Sequence, residues 1–372
     1  QKLYRHIGFH QFAPEVGAAE ARFQPMVLSA AAARDFYAQF QRKQHQFFPG
    51  PVAQNMELSH THVSHRSPVF DDLRAQIVSR LQQLSEAPKV ALLLGSGTLA
   101  NEVMLQQIKA KHGKALGLVC SNGEFGERLI QQAQSLGLRF RVYAEDWGQC
   151  FQAERLAAHA QDTTWMAAVH GETSTGCLNG LSLFTDHKTR APPDYTLAMD
   201  CVSSFGALPF SLANVDFASA TSGKVLGALA GLSMVFYHQA VETQAEQGTY
   251  CQLACYDGQT PFTLPAYLLA NVLAALAAYP QRYADLAQHL HTVLHHPLLQ
   301  QHAIHTQHYP TAISYQLPAV WRQNAALNGL LLHQNSAYLQ QRLWSQISTI
   351  QPHFTEDFAA LDVWLRQLQR VL

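Results

Sequence analysis

Short apolar runs closed by small polar residues recur between residues 89 and 224. Between them lie stretches with apolar positions every three or four residues. The runs cover residues 89–94, 115–120, 166–170, 197–200 and the segment from 215 to 224. Each is too short for a typical helix and reads as a buried strand. Ahead of the first, Phe70, Leu73, Ile77, Leu81 and Leu84 share one helical face, so a helix is expected after Ser64-His-Arg-Ser-Pro68. Gly95-Ser-Gly-Thr98 leads from the first strand into a helix, and Ser121-Asn-Gly-Glu-Phe125-Gly leads from the second into another. Repeated strand–helix units predict an α/β domain with a mainly parallel sheet. Beyond residue 264 the pattern changes. Residues 265–279 read as an alanine-rich apolar helix, and 310–317 with a strand near Ile347 as a small sheet. A last helix starts at Thr355, a good N-cap followed by Glu356 and Asp357, and buries Phe358, Leu361, Leu365 and Leu368. The expected organisation is an extension over residues 1–43, a large domain over 44–264 and a small α+β domain over 265–372.

Composition narrows the classes. A chain of 372 residues with 48% hydrophobic and 14% charged residues can build a large core and lacks the makeup of a disordered chain. Its net charge of -1, with no basic run, argues against a nucleic-acid surface. The uncharged apolar run over residues 225–237 is shorter than the roughly 18 residues that a membrane span needs. Cys120, Cys150, Cys177, Cys201, Cys251 and Cys255 form no disulfide framework. No second Cys/His pair adjoins Cys251 and Cys255, so buried reduced thiols are expected and no metal site. The twenty histidines include no HExxH and are read as surface and structural. No signal peptide precedes these segments, so a cytoplasmic location is expected.

The candidate chemistry sits at strand ends. If the strands near 197 and 217 are parallel, Asp200 and Lys224 emerge at one carboxyl edge, where open α/β sheets bind ligands. An acid and an amine in one crevice suit a pyridoxal phosphate (PLP) site, the lysine forming a Schiff base and the aspartate partnering the pyridinium nitrogen. A structural ion pair fits those two residues equally well. Gly95-Ser96-Gly97-Thr98 has the strand–turn–helix geometry of a phosphate cradle. It carries neither a Walker lysine nor a GxGxxG, which disfavours a nucleotide. Phe125 lies at the same edge and could cover a flat ring, and His170-Gly-Glu-Thr-Ser-Thr-Gly176 adds a run of hydroxyls there.

Taken in order, Pro49-Gly-Pro51, Ser64-His-Arg-Ser67, Gly95-Ser-Gly-Thr98, Asn122-Gly-Glu-Phe-Gly126, His170-Gly-Glu-Thr-Ser-Thr-Gly176, Asp200-Cys-Val-Ser-Ser204 and Ser222-Gly-Lys224 resemble the class V aminotransferases. The nearest group is the alanine/serine–glyoxylate aminotransferases and their 2-aminoethylphosphonate transaminase relatives, of PLP fold type I. The resemblance implies Lys224 as the Schiff-base lysine and proton shuttle and Asp200 as the ring-nitrogen partner. It also implies Val202 and Phe125 on the two ring faces and Thr173 on the ring hydroxyl. Ser96, Gly97 and Thr98 would hold the phosphate with Ser222 nearby, and Thr263 would reach the phosphate site of the other subunit of a homodimer. Gly50, Arg66 and Gln346 are the implied substrate-side positions.

Three departures qualify this. Gly223 stands where the family has Gln or Asn before the lysine, and Thr260 where a tyrosine is common. In Trp344-Ser-Gln-Ile-Ser-Thr-Ile350 the carboxylate-clamping arginine aligns with Gln346, which loses a charge-assisted fork worth roughly 1.5–3 kcal/mol. Arg342, Arg322 and Arg66 are the cations that could stand in. Separately, Tyr4-Arg-His-Ile-Gly8-Phe9 and residues 21–28 resemble the end of a GNAT-type acyltransferase, the alternative being a plain extension.

The function expected is a PLP-dependent aminotransferase moving an amino group from a small donor such as alanine to a keto acid or aldehyde. The acyltransferase-like remnant adds an expected coupling to N-acylation by a fused upstream domain. The alternatives are a PLP-dependent lyase, racemase or cyclase, favoured by Gly223 and Gln346, and a non-catalytic PLP-fold binding protein.

Overall fold

The computed structural model describes residues 9–18, 21–34, 44–52, 59–240, 248–304, 309 and 311–369. Its centre is a seven-stranded sheet of β1 (Lys89–Leu94), β2 (Gly117–Ser121), β3 (Phe140–Ala144), β4 (Trp165–Val169), β5 (Thr196–Asp200), β6 (Phe217–Thr221) and β7 (Leu232–Tyr237). The spatial order is β1-β7-β6-β5-β4-β2-β3. Strands β3, β2, β4, β5 and β6 pair in parallel, and β7 runs antiparallel between β6 and β1. Asp200 is in register with Ser219, so the carboxyl ends of β5 and β6 meet at one edge as the pattern requires, and Lys224 follows three residues beyond β6. Strands β2, β4, β5 and β6 are buried along their whole length, which is why they read as continuous apolar or small-residue runs.

Helices cover both faces. α1 (Pro68–Ser85) has Ser67 at its N-cap, whose hydroxyl accepts from the Phe70 amide at 3.3 Å, and buries Phe70, Leu73, Ile77 and Leu81. α2 (Gly97–His112) and α3 (Glu124–Ser135) follow β1 and β2, and α4 (Ala153–His159) and α5 (Leu181–Arg190) complete the layer. α6 (Ala266–Leu294) runs on through Pro280 and spans about 43 Å at 1.5 Å per residue. Its apolar stripe does not stop at the proline: Leu269, Val272 and Leu276 join the sheet core, whereas Val293 joins a second core with Ile313, Leu330, Ile347, Phe358 and Leu361. Burying each such side chain is worth about 1.5–3 kcal/mol, enough to offset the roughly 3 kcal/mol that an interior proline costs.

That second core lies under β8 (Ala312–Tyr315), β9 (Leu330–Leu332), β10 (Ser345–Ser348), α7 (Ala319–Leu327), α8 (Ala337–Arg342) and α9 (Phe354–Gln369). β8 and β10 are antiparallel, with Ser314 opposite Gln346. The strand His45–Phe47 adds to β9 in parallel, and the chain then crosses to the large sheet, where the Val52 amide donates to the Gly223 carbonyl at 3.0 Å. Within the N-terminal extension, Phe9–Gln11 pairs with Met26–Leu28 and Val16–Ala18 with Ala21–Phe23. Residues 4–8 of the acyltransferase-like motif lie outside the described residues. No described helix is long and apolar enough to cross a membrane.

Candidate active site

A cavity of about 330 Å³ opens at the carboxyl edge of the sheet, lined among others by Ser96, Gly97, Thr98, Phe125, Asp200, Val202 and Lys224. The Lys224 amine donates to the Pro49 carbonyl at 2.9 Å. Burial holds that amine below the usual lysine range, Asp200 opposing the shift and Arg128 adding to it. The Asp200 carboxylate accepts from the Asn101 amide group at 2.6 Å and from the Val202 backbone N–H at 2.9 Å. Ser219 in turn donates to Asn101 at 2.6 Å. Burial pushes the Asp200 carboxyl up, and the bonds from Val202, Asn101 and Ser219 work against it. These bonds fix the carboxyl group in place. Asn101 and Ser219 were not singled out by sequence; the trace they leave is a polar residue in the apolar stretch of α2 and another within the buried strand β6.

α2 begins at the cavity wall. Ser96 is its N-cap, and the Ser96 side chain makes no bond to the first-turn amides; the Leu99 and Ala100 amides donate to the Ser96 carbonyl, while Gly97 and Thr98 line the cavity at the positive end of the helix dipole. Glycines shape this wall. A Cβ on Gly97 would come within 2.6 Å of both Val202 methyls. One on Gly223 would fall 2.7 Å from the Ala230 Cβ and 2.8 Å from its Cα, so the loop through Ala230 leaves no room for a larger side chain there. Gly50, at φ +114°, lies against the lysine: its Cβ would sit 2.7 Å from Lys224 Cδ.

The helix bearing Phe125 is held by a buried carboxylate from a distant loop. Glu172 accepts from the backbone N–H groups of Gly126 at 3.0 Å, Phe125 at 3.4 Å and Ser174 at 3.2 Å, and from the Ser174 hydroxyl. It thereby satisfies first-turn donors of α3 that have no acceptor within the helix. Burial pushes the Glu172 carboxyl up to about 7 against these bonds. One turn along, Arg128 lines the same cavity with its guanidinium 5.1 Å from the Phe125 ring centroid.

Other expected site residues lie elsewhere. The Ser222 hydroxyl donates to the Leu229 carbonyl at 2.5 Å and accepts from the Leu232 amide, so it closes its own loop. Thr173 is buried in the hydroxyl-rich turn, outside the cavity lining. Gln346 is fully buried and its amide nitrogen donates to the carbonyls of Thr173 at 2.5 Å and Ser174 at 3.1 Å and to the Ser314 hydroxyl at 2.9 Å, while its amide oxygen accepts from His333 Nδ1 at 2.8 Å. It latches the small sheet onto the hydroxyl turn. Thr263 is exposed in the segment before α6, and Arg66 is exposed just ahead of α1. Of the other arginines considered, Arg342 stacks 3.3 Å from the Trp147 ring centroid, and neither it nor Arg322 lines the cavity.

The residues present fit PLP. The cavity offers an amine for the aldehyde carbon, a fixed carboxylate for the ring nitrogen and uncapped helix amides for the phosphate, beside apolar Phe125 and Val202. Gly97 and Gly223 let Val202 and Ala230 pack closely against this wall.

No family model matches the chain. It is 32% identical to a 2-aminoethylphosphonate–pyruvate transaminase of Pseudomonas putida (strain W619), over 58% of this chain and 65% of that protein. With the corresponding protein of Klebsiella pneumoniae the identity is 29%, over 59% of this chain and 63% of that one. The chain thus spans somewhat less than two thirds of the length of these curated relatives. Among solved structures it superposes on an alanine–glyoxylate aminotransferase from Nostoc sp. with a TM-score of 0.74 and 23% identity, covering 88% of this chain and 96% of that one. An aspartate aminotransferase of subgroup IV from Thermus thermophilus gives a TM-score of 0.74 at 21% identity, over 87% and 99% of the two chains. The parallel sheet, the cavity at its carboxyl edge and this likeness agree: the chain has the fold of these aminotransferases, fold type I of the PLP-dependent proteins, and is similar in sequence to 2-aminoethylphosphonate–pyruvate transaminases.

Proposed function

We propose that the chain is an aminotransferase that moves an amino group from a small amino donor to a keto acid or aldehyde, with PLP held in the Asp200–Lys224 cavity. The observation that carries this is the convergence of Lys224, Asp200 and the uncapped start of α2 on one cavity. When bound, PLP supplies an electron sink conjugated to the carbon that bears the amino group. The chain's own groups do the rest. Lys224, held by the Pro49 carbonyl and lowered by burial below the usual lysine range, can take a proton from that carbon and return one. Asp200 keeps a ring-nitrogen proton in place, because Asn101 and the Val202 amide hold its two oxygens. Phe125 and Val202 exclude water from the ring, and the α2 amides of Gly97 and Thr98 hold the phosphate.

We further propose a homodimer in which Thr263 serves the other subunit's phosphate site. Its exposure, in a segment outside its own cavity, supports this role. The names of the relatives suggest 2-aminoethylphosphonate with pyruvate and alanine with glyoxylate as the first pairs to assay. Formation of alanine or glycine, dependent on added PLP and lost in Lys224→Ala, is the expected result. Release of ammonia or racemised donor without amino transfer would favour a lyase or racemase instead.

A further inference from the structure

Gln346 leaves the substrate side without the guanidinium that its strand position would supply, because its amide is neutral and engaged by Thr173, Ser174, Ser314 and His333. Among the described residues, the cationic side chains lining the cavity are Lys224 and Arg128. Lys224 is committed to the chemistry. Arg128 is differently placed. Its one described carboxylate contact is a single oxygen of Glu124 at 3.4 Å, and its side chain is 45% exposed, so most of its five donors are open to a ligand. Its guanidinium lies over the Phe125 ring, a contact that keeps the planar fork next to the covering aromatic. The start of α3 is fixed by Glu172, so Arg128 is presented from a rigid turn and not from a free loop. Both Asp200 and Lys224 feel its charge.

We infer that Arg128 is the anion-binding residue of the substrate side, taking the carboxylate or phosphonate tail of the amino donor and the carboxylate of the keto acid. This rests on the proposed aminotransferase reading and names its substrate class: small amines bearing an oxyanion, not neutral amines. A bidentate guanidinium–oxyanion contact in a partly desolvated site predicts a loss of roughly ten- to a hundredfold in affinity when the fork is removed.

The test uses the full chain loaded with PLP, so that the phosphate cradle is filled. Ethylphosphonate and propionate, which carry the oxyanion and no amine, are titrated by calorimetry into wild type, Arg128→Gln and Arg128→Lys, with Arg80→Gln as a control outside the cavity. Binding to wild type and Arg80→Gln, at least tenfold weaker in Arg128→Gln and only partly restored in Arg128→Lys, supports the inference. Equal binding in Arg128→Gln, or no binding of either anion to loaded wild type, overturns it. So does a variant that loses PLP absorbance while holding the anions normally, since that assigns Arg128 to the cofactor. Because these anions cannot react, the outcome stands apart from that of the transamination assay. Where turnover is seen, Arg128→Gln raises KM for 2-aminoethylphosphonate and alanine, and an unchanged KM for both overturns the inference.

Discussion

Gly50→Ala separates the positioning of the lysine from the stability of the fold. Gly50 adopts φ +114°, and a side chain in such a conformation costs about 1–3 kcal/mol. That cost shows as a fall of a few degrees in melting temperature. The larger effect is local. The new methyl would stand 2.7 Å from Lys224 Cδ and 3.3 Å from its Nζ, whereas carbon atoms rest at about 3.5–4.0 Å. The lysine stem must therefore move by about 1 Å, away from the Pro49 carbonyl that now holds the amine at 2.9 Å. A misplacement of that size costs about 100-fold in rate. The assay compares melting temperature, PLP absorbance and turnover in wild type, Gly50→Ala and the control Gly248→Ala, where an added Cβ meets nothing within 4 Å. The expected pattern is a small loss of stability with a large loss of turnover in Gly50→Ala and neither in the control. Turnover within twofold of wild type in Gly50→Ala would refute the contact between this turn and the amine.

Three further outcomes follow from the buried polar groups. In Asp200→Asn the apo protein trades a carboxyl pushed up by burial for a neutral amide but loses one acceptor, so its stability changes by no more than about 1–3 kcal/mol, while turnover falls roughly 10²–10³-fold; a variant that unfolds would contradict this balance. Glu172 is raised from 4.5 to about 7, so the folded chain holds a proton that the unfolded chain has released. Its contribution to stability therefore declines as pH rises from 4.5 to 7, and urea titrations across that window should show a flatter slope in Glu172→Gln. His170 is depressed from 6.5 to about 4 by burial, so the unfolded chain is protonated first and stability is lost as pH falls from 6.5 towards 4. His170→Gln should remove that acid loss, and an unchanged profile would mean that His170 is not held neutral.

The sequence and the structure agree most closely where short-range chemistry decides. β1 has the bounds that its apolar run suggests, and the helix from Pro68 buries the face that periodicity selects. Asp200, Lys224 and the Gly95–Thr98 turn could be placed because a parallel sheet brings successive strand ends to one edge. What could not be read depended on contacts across the chain. β7 is a six-residue strand inside a run of residues 225–237 whose periodicity does not distinguish strand from buried helix, and its antiparallel pairing is set by β6 and β1. α6 continues past Pro280 because a second core, assembled from residues 293–365 together with Phe47, buries its far end. Glu172 was one acid in a hydroxyl-rich run, and its grip on α3 spans 46 residues. Gly223 reads from sequence as a lost phosphate ligand; the physical reason lies in Ala230, which occupies the space.

The central claim is that Lys224 is the amine to which PLP is joined. Incubating the full chain with PLP, reducing with borohydride and mapping peptides by mass spectrometry tests it directly. One modified site is expected, Lys224, abolished in Lys224→Ala and weakened in Asp200→Asn. Modification spread over exposed lysines, or its persistence in Lys224→Ala, would contradict it.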